Sequence, residues 1–212
     1  MRITFYIFLL AIFCLSIACK GVALDERFHS HALSNWTVID DPDAVEGPSQ
    51  WKVEGDGWLH QRSNIWGRRG DFIERWYGTY IVAGDEGWED YWFKVKARPD
   101  DGDGFGVVFR FKDREHFYRL LFLQDGINGG PLTRLDKRDG EDFVELWSLK
   151  QGYQIGREML IEIEVEGDLI RAIIDGRILF DIRDSSYNRG KVGLFCYAQN
   201  RQAFDEVKVL EK

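Results

Sequence analysis

The chain has 212 residues, 44% of them hydrophobic and 30% charged, with 28 Lys and Arg against 36 Asp and Glu, for a formal net charge of −8. That length suits one domain with a full core, and the acidic balance excludes nucleic acid as a partner. There are three cysteines, Cys14, Cys19 and Cys196, too few and too unevenly placed for a disulfide framework.

Residues 3–19, ITFYIFLLAIFCLSIAC, form an apolar run behind Arg2. This reads as a secretory leader ending within residues 1–23, with an uncleaved membrane anchor as the alternative. Leu15-Ser16-Ile17-Ala18-Cys19 is similar to a lipobox, with Ser16 where an aliphatic residue is usual, and it makes Cys19 the candidate lipidation site. Gly21-Val22-Ala23 offers an ordinary small-x-small cleavage site instead. Export to the cell envelope is the consequence, as an outer-membrane lipoprotein or, with ordinary cleavage, as a secreted or periplasmic protein. Cleavage before Cys19 takes away Arg2 and no acid, and cleavage after Ala23 takes Lys20 as well, so the body is more acidic still, with Cys196 its only thiol once Cys19 is lipidated or removed.

Residues 24–212 read as one domain without a linker. Residues 25–50 look irregular, with turn chemistry at Asp40, Asp41, Pro42, Asp43, Gly47 and Pro48. Trp51–Val53 and Gly57–Gln61 suggest a hairpin, and Gly78–Val82 a further strand. From Tyr91, apolar Phe93, Val95 and Ala97 alternate with Lys94, Lys96 and Arg98, the period of a half-buried strand that Pro99 ends. Asp100, Asp101 and Asp103 then lie among Gly102, Gly104 and Gly106, on backbone flexible enough for the carboxylates to converge. Val107, Phe109 and Phe111 resume the alternation, Lys112–Glu115 turns the chain, and another aromatic-rich strand comes next. A long turn, Gln124–Pro131, precedes the strand at Leu132–Leu135. Ile161, Ile163 and Val165 alternate with Glu162, Glu164 and Glu166 as far as the turn at Gly167-Asp168. Asp175-Gly176 between apolar segments is the strongest hairpin signal. Val192, Leu194 and Cys196 share a face, and Val207 and Val209 close the sheet. No helix-period segment beyond about two turns occurs outside the leader.

Three stretches carry a family likeness: PSQWKVEGDGWLHQRSNIWG (48–67), YIVAGDEGWEDYWFKVKARPDDGDGFGVVFRFKDREHFYRLLF (80–122) and RGKVGLFCYAQNRQAFDEVKV (189–209). They resemble the lectin-like C-terminal domain of thrombospondins and its bacterial relatives. The resemblance implies an all-β, concanavalin A-like jelly-roll sandwich of two antiparallel sheets, a fold that hosts lectins, adhesive modules, glycan hydrolases and plain structural domains. Thrombospondins pair the Cys of the third stretch with another at the extreme C-terminus. This chain ends Val-Lys-Val-Leu-Glu-Lys, so Cys196 is expected to be a buried free thiol.

The resemblance also implies calcium, a hard cation that takes six to eight oxygen ligands. Asp100, Asp101 and Asp103 are the candidate ligands, completed by Asp85 and Asp90 if the two loops share one rim. A solvated acidic turn is the alternative, and Asp205 is a second candidate metal residue near the termini. For a glycan, planar aromatic faces and guanidinium forks are the needed groups, which selects Arg110, Arg119, Arg134, Trp66 and Trp147. The same arginines would otherwise form a cross-strand ladder with Glu162 and Glu164. Glu162, Glu164 and Glu166 on one strand face also resemble the carboxylates of sandwich-fold glucanases, without the interposed Asp and spacing residue. A solvent-facing edge guarded by charges explains them as well.

Gly102-x-Gly104-x-Gly106 leads into a strand and not a helix, so it is no phosphate loop. His29, His31, His60 and His116 are too dispersed for a zinc site. The expectation is an exported, lipid-anchored, calcium-supported lectin-like module that binds glycan or matrix. The alternatives are a glycan-processing enzyme, akin to bacterial 3-keto-glycoside hydrolases, and a structural envelope domain.

Overall fold

The computed structural model describes residues 21–30, 32–42, 44–68 and 75–212. Residues 1–20, with Cys19, residues His31 and Asp43, and residues 69–74 lie outside the described residues. In chain order the first strands are β1 (Val22–Glu26), β2 (Thr37–Asp40), β3 (Ala44–Val45), β4 (Trp51–Val53), β5 (Leu59–Gln61), β6 (Trp66–Arg68) and β7 (Thr79–Ala83). Then come β8 (Tyr91–Pro99), β9 (Gly104–Asp113), β10 (His116–Leu123), β11 (Leu132–Asp139) and β12 (Asp142–Leu149). The last are β13 (Met159–Glu166), β14 (Leu169–Ile174), β15 (Arg177–Arg183), β16 (Lys191–Tyr197) and β17 (Gln202–Glu211).

Two antiparallel sheets face each other. One runs β15-β14-β13-β8-β17-β5-β4, with β1 also on β17, and the other β12-β11-β10-β9-β16-β7-β2. A ribbon of β3 and β6 lies apart. This is the expected all-β sandwich. Residues 25–50 are more ordered than their turn chemistry suggests, because Thr37–Asp40 pairs with β7 as the edge of the second sheet.

β8 shows how the sequence selects its place. Its odd residues from Tyr91 to Pro99 are buried and its even residues half-exposed, as a strand with one solvated face requires. Phe93 sits opposite Ile163 on one side and Val209 on the other. These side chains meet Phe105, Val107, Phe109, Leu120 and Leu194 of the opposing sheet in the principal core. Asp175 and Gly176 both take positive φ, 50° and 76°, and join β14 to β15, the conformation that the predicted Asp-Gly hairpin needs. Cys196 is a buried free thiol, and burial pushes its pKa up.

The second sheet departs from simple alternation because both of its faces are covered. Trp76, Tyr80, Val82, Val108, Phe111, Phe117, Leu121 and Phe195 form a second apolar cluster on its outer face. Arg110 takes a positive φ of 46°, and the β9 register shifts against both neighbours here. The expected common face of Phe109 and Phe111 is therefore broken: Phe109 enters the principal core and Phe111 the outer cluster. Gly104 and Gly106 are strand residues and not a pliable loop. A Cβ on Gly106 would lie 1.9 Å from the Leu120 carbonyl oxygen, so close strand approach explains this glycine.

Candidate functional site

After β12 the chain crosses from one sheet to the other through residues 150–158, which brings the edge strands β12 and β15 to either side of a cleft. Its volume is about 910 Å³, within the range of small-molecule sites. Phe122, Met159, Ile174 and Leu179 give it an apolar floor, and Gln151, Gln154, Arg157, Asp175 and Arg177 line its polar margin. Leu149 and Ile178 at its mouth are 39% and 61% exposed.

Local hydrogen bonds fix the crossing. The Thr133 hydroxyl donates to the Gln151 carbonyl at 2.7 Å, and the Tyr153 amide donates to Gln124 Oε1 at 3.0 Å. The Gly156 amide donates to the Pro99 carbonyl at 2.7 Å. Tyr153 packs edge-on against Phe105, with centroids 4.9 Å apart, and its hydroxyl donates to the Asp101 and Asp103 carbonyls. The cleft is thus joined to the acidic loop through Tyr153 and through Gln124, whose backbone amide donates to the Gly102 carbonyl at 3.1 Å.

That loop is tied more tightly than its composition suggests. Asp101 Oδ1 accepts from the Gly102 amide at 2.8 Å, and Asp103 accepts from the Asn128 side chain. Asp100 lies 3.3 Å from Arg98. Burial, reinforced by Asp101 and Asp125, pushes the Asp103 pKa up to about 6. Gln199 is fully buried; its Nε2 donates to the Asp101 carbonyl at 3.2 Å while its Oε1 has no partner.

Asp85 and Asp90 do not join this group. They precede β8 and the acidic loop comes after it, so roughly 30 Å of extended strand separates them. Asp85 caps its own turn through the Gly87 amide, and Asp90 accepts from Gly167. The expected single rim of five aspartates is corrected accordingly. Among the described residues no three His, Cys, Asp or Glu side chains converge as a metal cage. Asp205 is drawn up in pKa by burial and has one oxygen without a partner.

The five residues selected for glycan contact are dispersed. Arg110 is fully buried at the opposite end of the sandwich, donating to the Tyr187 carbonyl at 3.0 Å and the Glu89 carbonyl at 3.2 Å. Arg119 is also fully buried, 2.8 Å from Asp136, with its guanidinium 3.9 Å from the Phe143 ring centre. Arg134 reaches the same Asp136 and lies over Trp76 at 5.2 Å. Trp147 packs on Phe180 between the two sheets, and Trp66 is 43% exposed on the separate ribbon. Both buried arginines are committed to the interior, so neither presents a guanidinium to a surface ligand.

Glu162, Glu164 and Glu166 belong to the outer face of the other sheet. Glu162 pairs with Lys94, Glu164 with Arg171 and Lys212, and Glu166 with Lys212. The expected solvent-facing edge is corrected: β13 is an inner strand between β8 and β14, and Glu162 and Glu164 are only 8% and 7% exposed beneath cations other than the arginines first selected. The cleft residues Gln124, Gln151, Tyr153, Gln154, Arg157 and Arg177 were not singled out from sequence. The available signal was the segment KQGYQIGRE (150–158), polar and without strand period between two strands.

No family model matches the chain, and no curated protein is detectably similar to it in sequence. Solved structures do resemble it. The carbohydrate-binding module CBM66 from Bacillus subtilis is 20% identical over 84% of this chain and 96% of its own, with a TM-score of 0.61. A Bacillus subtilis protein of unknown function with a galectin-like fold is 12% identical over 91% of this chain and 98% of its own, with a TM-score of 0.66. Domain 4 of AbnA, a GH43 extracellular arabinanase from Geobacillus stearothermophilus solved in complex with arabinotriose, is 15% identical over 91% of this chain and 93% of its own, with a TM-score of 0.51. At these identities the likeness is one of fold, a galectin-like sandwich of the concanavalin A-like class.

Proposed function

We propose that the protein is a glycan-binding module whose ligand lies in the cleft between β12 and β15. The observation that carries this reading is the pairing of an apolar floor with amide and guanidinium groups along the cleft margin, the combination that receives the apolar face and the hydroxyls of a sugar. The names of two structural neighbours support it, one a carbohydrate-binding module and one solved with arabinotriose. The finer kinship with thrombospondin C-terminal domains rests only on the sequence stretches 48–67, 80–122 and 189–209, and recognition of matrix rests on that kinship.

The test is an oligosaccharide array followed by calorimetry on the purified full chain and on Gln151→Ala/Gln154→Ala. Both side chains are exposed, so the variant should melt as the parent does and bind at least tenfold more weakly. Absence of binding to any oligosaccharide at millimolar concentration, or undiminished binding by the variant, would overturn the cleft assignment.

Calcium is retained in narrower form. The carboxylates of Asp101 and Asp103, with the unpartnered Gln199 Oε1 beside them, are the oxygens that would hold it, and hard oxygens are the donors this ion takes. Its role would be to order the rim beside Tyr153. A melting temperature unchanged between calcium and EDTA would remove it.

Export with a lipid anchor at Cys19 completes the proposal. Support comes from β1, which starts at Val22 and pairs Val22 with Leu210; cleavage after Ala23 would remove two residues of that strand, whereas cleavage before Cys19 spares it. Mass spectrometry of the mature N-terminus distinguishes the two.

A further inference from the structure

The cationic groups at the cleft are unequally employed. Arg157 donates to Asp175 Oδ2 at 3.0 Å, and Asp175 Oδ1 accepts from the Leu160 amide at 2.9 Å. Both oxygens of the one cleft carboxylate are therefore occupied, and its charge is met by Arg157. Arg177 also lines the cleft, directly after the Asp175-Gly176 turn, and is exposed. Among the described residues its side chain has neither a carboxylate nor a hydrogen-bond partner. Lys150, between the lining residues Leu149 and Gln151, is likewise exposed and unpaired among them. The nearby acid Glu158 lies within the field of Lys96, on the outer face of the first sheet. A chain of net charge −8 thus keeps a locally positive margin on the Lys150 and Arg177 side of the cleft, whereas Tyr153 lies within the field of Asp101 and Asp103.

We propose that the ligand of this cleft is an acidic glycan, one bearing a uronate or comparable sugar carboxylate, and that Arg177 is the residue that receives the carboxylate. The proposal rests on the reading of the cleft as a glycan site. A guanidinium presents paired N–H donors that match the two oxygens of a carboxylate. The turn before Arg177 has both φ angles positive, 50° and 76°, a tight hairpin conformation that limits how far the base of the side chain moves. Neutral hydroxyls are met by Gln151 and Gln154, which line the same cleft. An acidic protein gains selectivity from this arrangement, because its overall field repels anions and only a ligand with a specific carboxylate partner overcomes that repulsion.

The experiment is calorimetric titration of the purified full chain, and of Arg177→Gln and Arg177→Lys, with trigalacturonate, a hyaluronan tetrasaccharide and sialyllactose. Each probe is compared with its carboxyl-methyl ester. Expected is binding of at least one acidic probe, lost roughly 10- to 100-fold on esterification or in Arg177→Gln, with part of the affinity kept by Arg177→Lys and a decline as salt increases. Arg177 is exposed, so its variants should melt as the parent does. Equal binding of acid and ester, unaffected by Arg177→Gln, would overturn the acidic-ligand proposal and leave the cleft reading standing. Binding of none of the acidic probes alongside binding of neutral oligosaccharides in the array has the same meaning. Failure of every sugar, neutral and acidic, would remove both.

Discussion

Trp147 of β12 and Phe180 of β15 meet with ring centroids 4.7 Å apart and planes inclined at 42°. They join the edge strands of opposite sheets where no backbone hydrogen bond does. The sequence suggests Trp147 as a sugar platform, and the structure packs it instead against the principal core, outside the residues that line the cleft. Phe180→Ala removes one half of this clamp from a position only 6% exposed. Loss of about 3–5 kcal/mol in urea unfolding is expected. A double-mutant cycle with Trp147→Ala should return about 0.5–1.5 kcal/mol of coupling, and additive effects would mean that the rings do not support one another.

Arg119 and Asp136 form a fully buried pair on the outer face of the second sheet. Arg134 reaches the same carboxylate, so one negative charge holds two guanidinium groups beneath aromatic rings. Asp136→Ala leaves Arg119 buried without its counter-charge and should cost about 3–5 kcal/mol. The joint change Arg119→Met/Asp136→Leu removes both charges and should cost less than either single change. Thermal unfolding of the three variants checks this. A single-variant loss below about 1 kcal/mol would show that the network is open to water.

The contrast between these arginines and β8 shows where sequence reasoning stops. β8 was legible because one face is core and the other meets solvent, so polarity alternates with the pleat. β9 and β10 are apolar on both faces, and at Arg110 a positive φ shifts the register in a way that no residue preference announces, since arginine is not a left-handed residue by habit. The Asp175-Gly176 turn was legible for the opposite reason, as only a few residue types tolerate its backbone. Asp85 and Asp90 were grouped with Asp100–Asp103 by proximity in sequence, yet an extended strand holds the loops at its two ends far apart. The cleft joins β12, β15 and a crossing loop, elements whose adjacency is a property of the two sheets together.

Gly106 tests the close approach of β9 to β10. An added methyl would lie 1.9 Å from the Leu120 carbonyl oxygen and 3.0 Å from the carbonyl carbon, both backbone atoms in a paired strand that cannot rotate aside. Gly106→Ala should destabilise the sandwich by about 3 kcal/mol or more. Gly57→Ala, whose Cβ would meet nothing within 4 Å, is the control for backbone strain alone, since Gly57 holds a positive φ of 81°. Denaturant midpoints should rank the parent first, Gly57→Ala second and Gly106→Ala last, and reversal of the two variants would refute the steric account.

Asp103 gives the rim a dependence on pH that arises from its surroundings. Burial and the neighbouring Asp101 and Asp125 charges raise its pKa from 3.8 to about 6. A carboxyl that holds its proton more tightly in the fold contributes stability that is fully present below pH 3.8 and is lost as pH rises through about 6. Asp56, Asp113 and Asp184, held below their ordinary range, act in the opposite sense, so the Asp103 share is read by difference. Without calcium, Asp103→Asn should lack the fall between about pH 4 and pH 6 and should melt higher than the parent at about pH 7. Its amide keeps an oxygen for the Asn128 side chain, so the hydrogen bond to the 124–131 turn survives. Added calcium should raise the parent's melting temperature more at about pH 7 than at about pH 5, because the ion competes with the proton for the same oxygens, and should leave Asp103→Asn nearly unmoved. Parallel pH profiles for parent and variant would show that Asp103 is solvated and ionised like any surface carboxylate, and the rim would lose its titrating member.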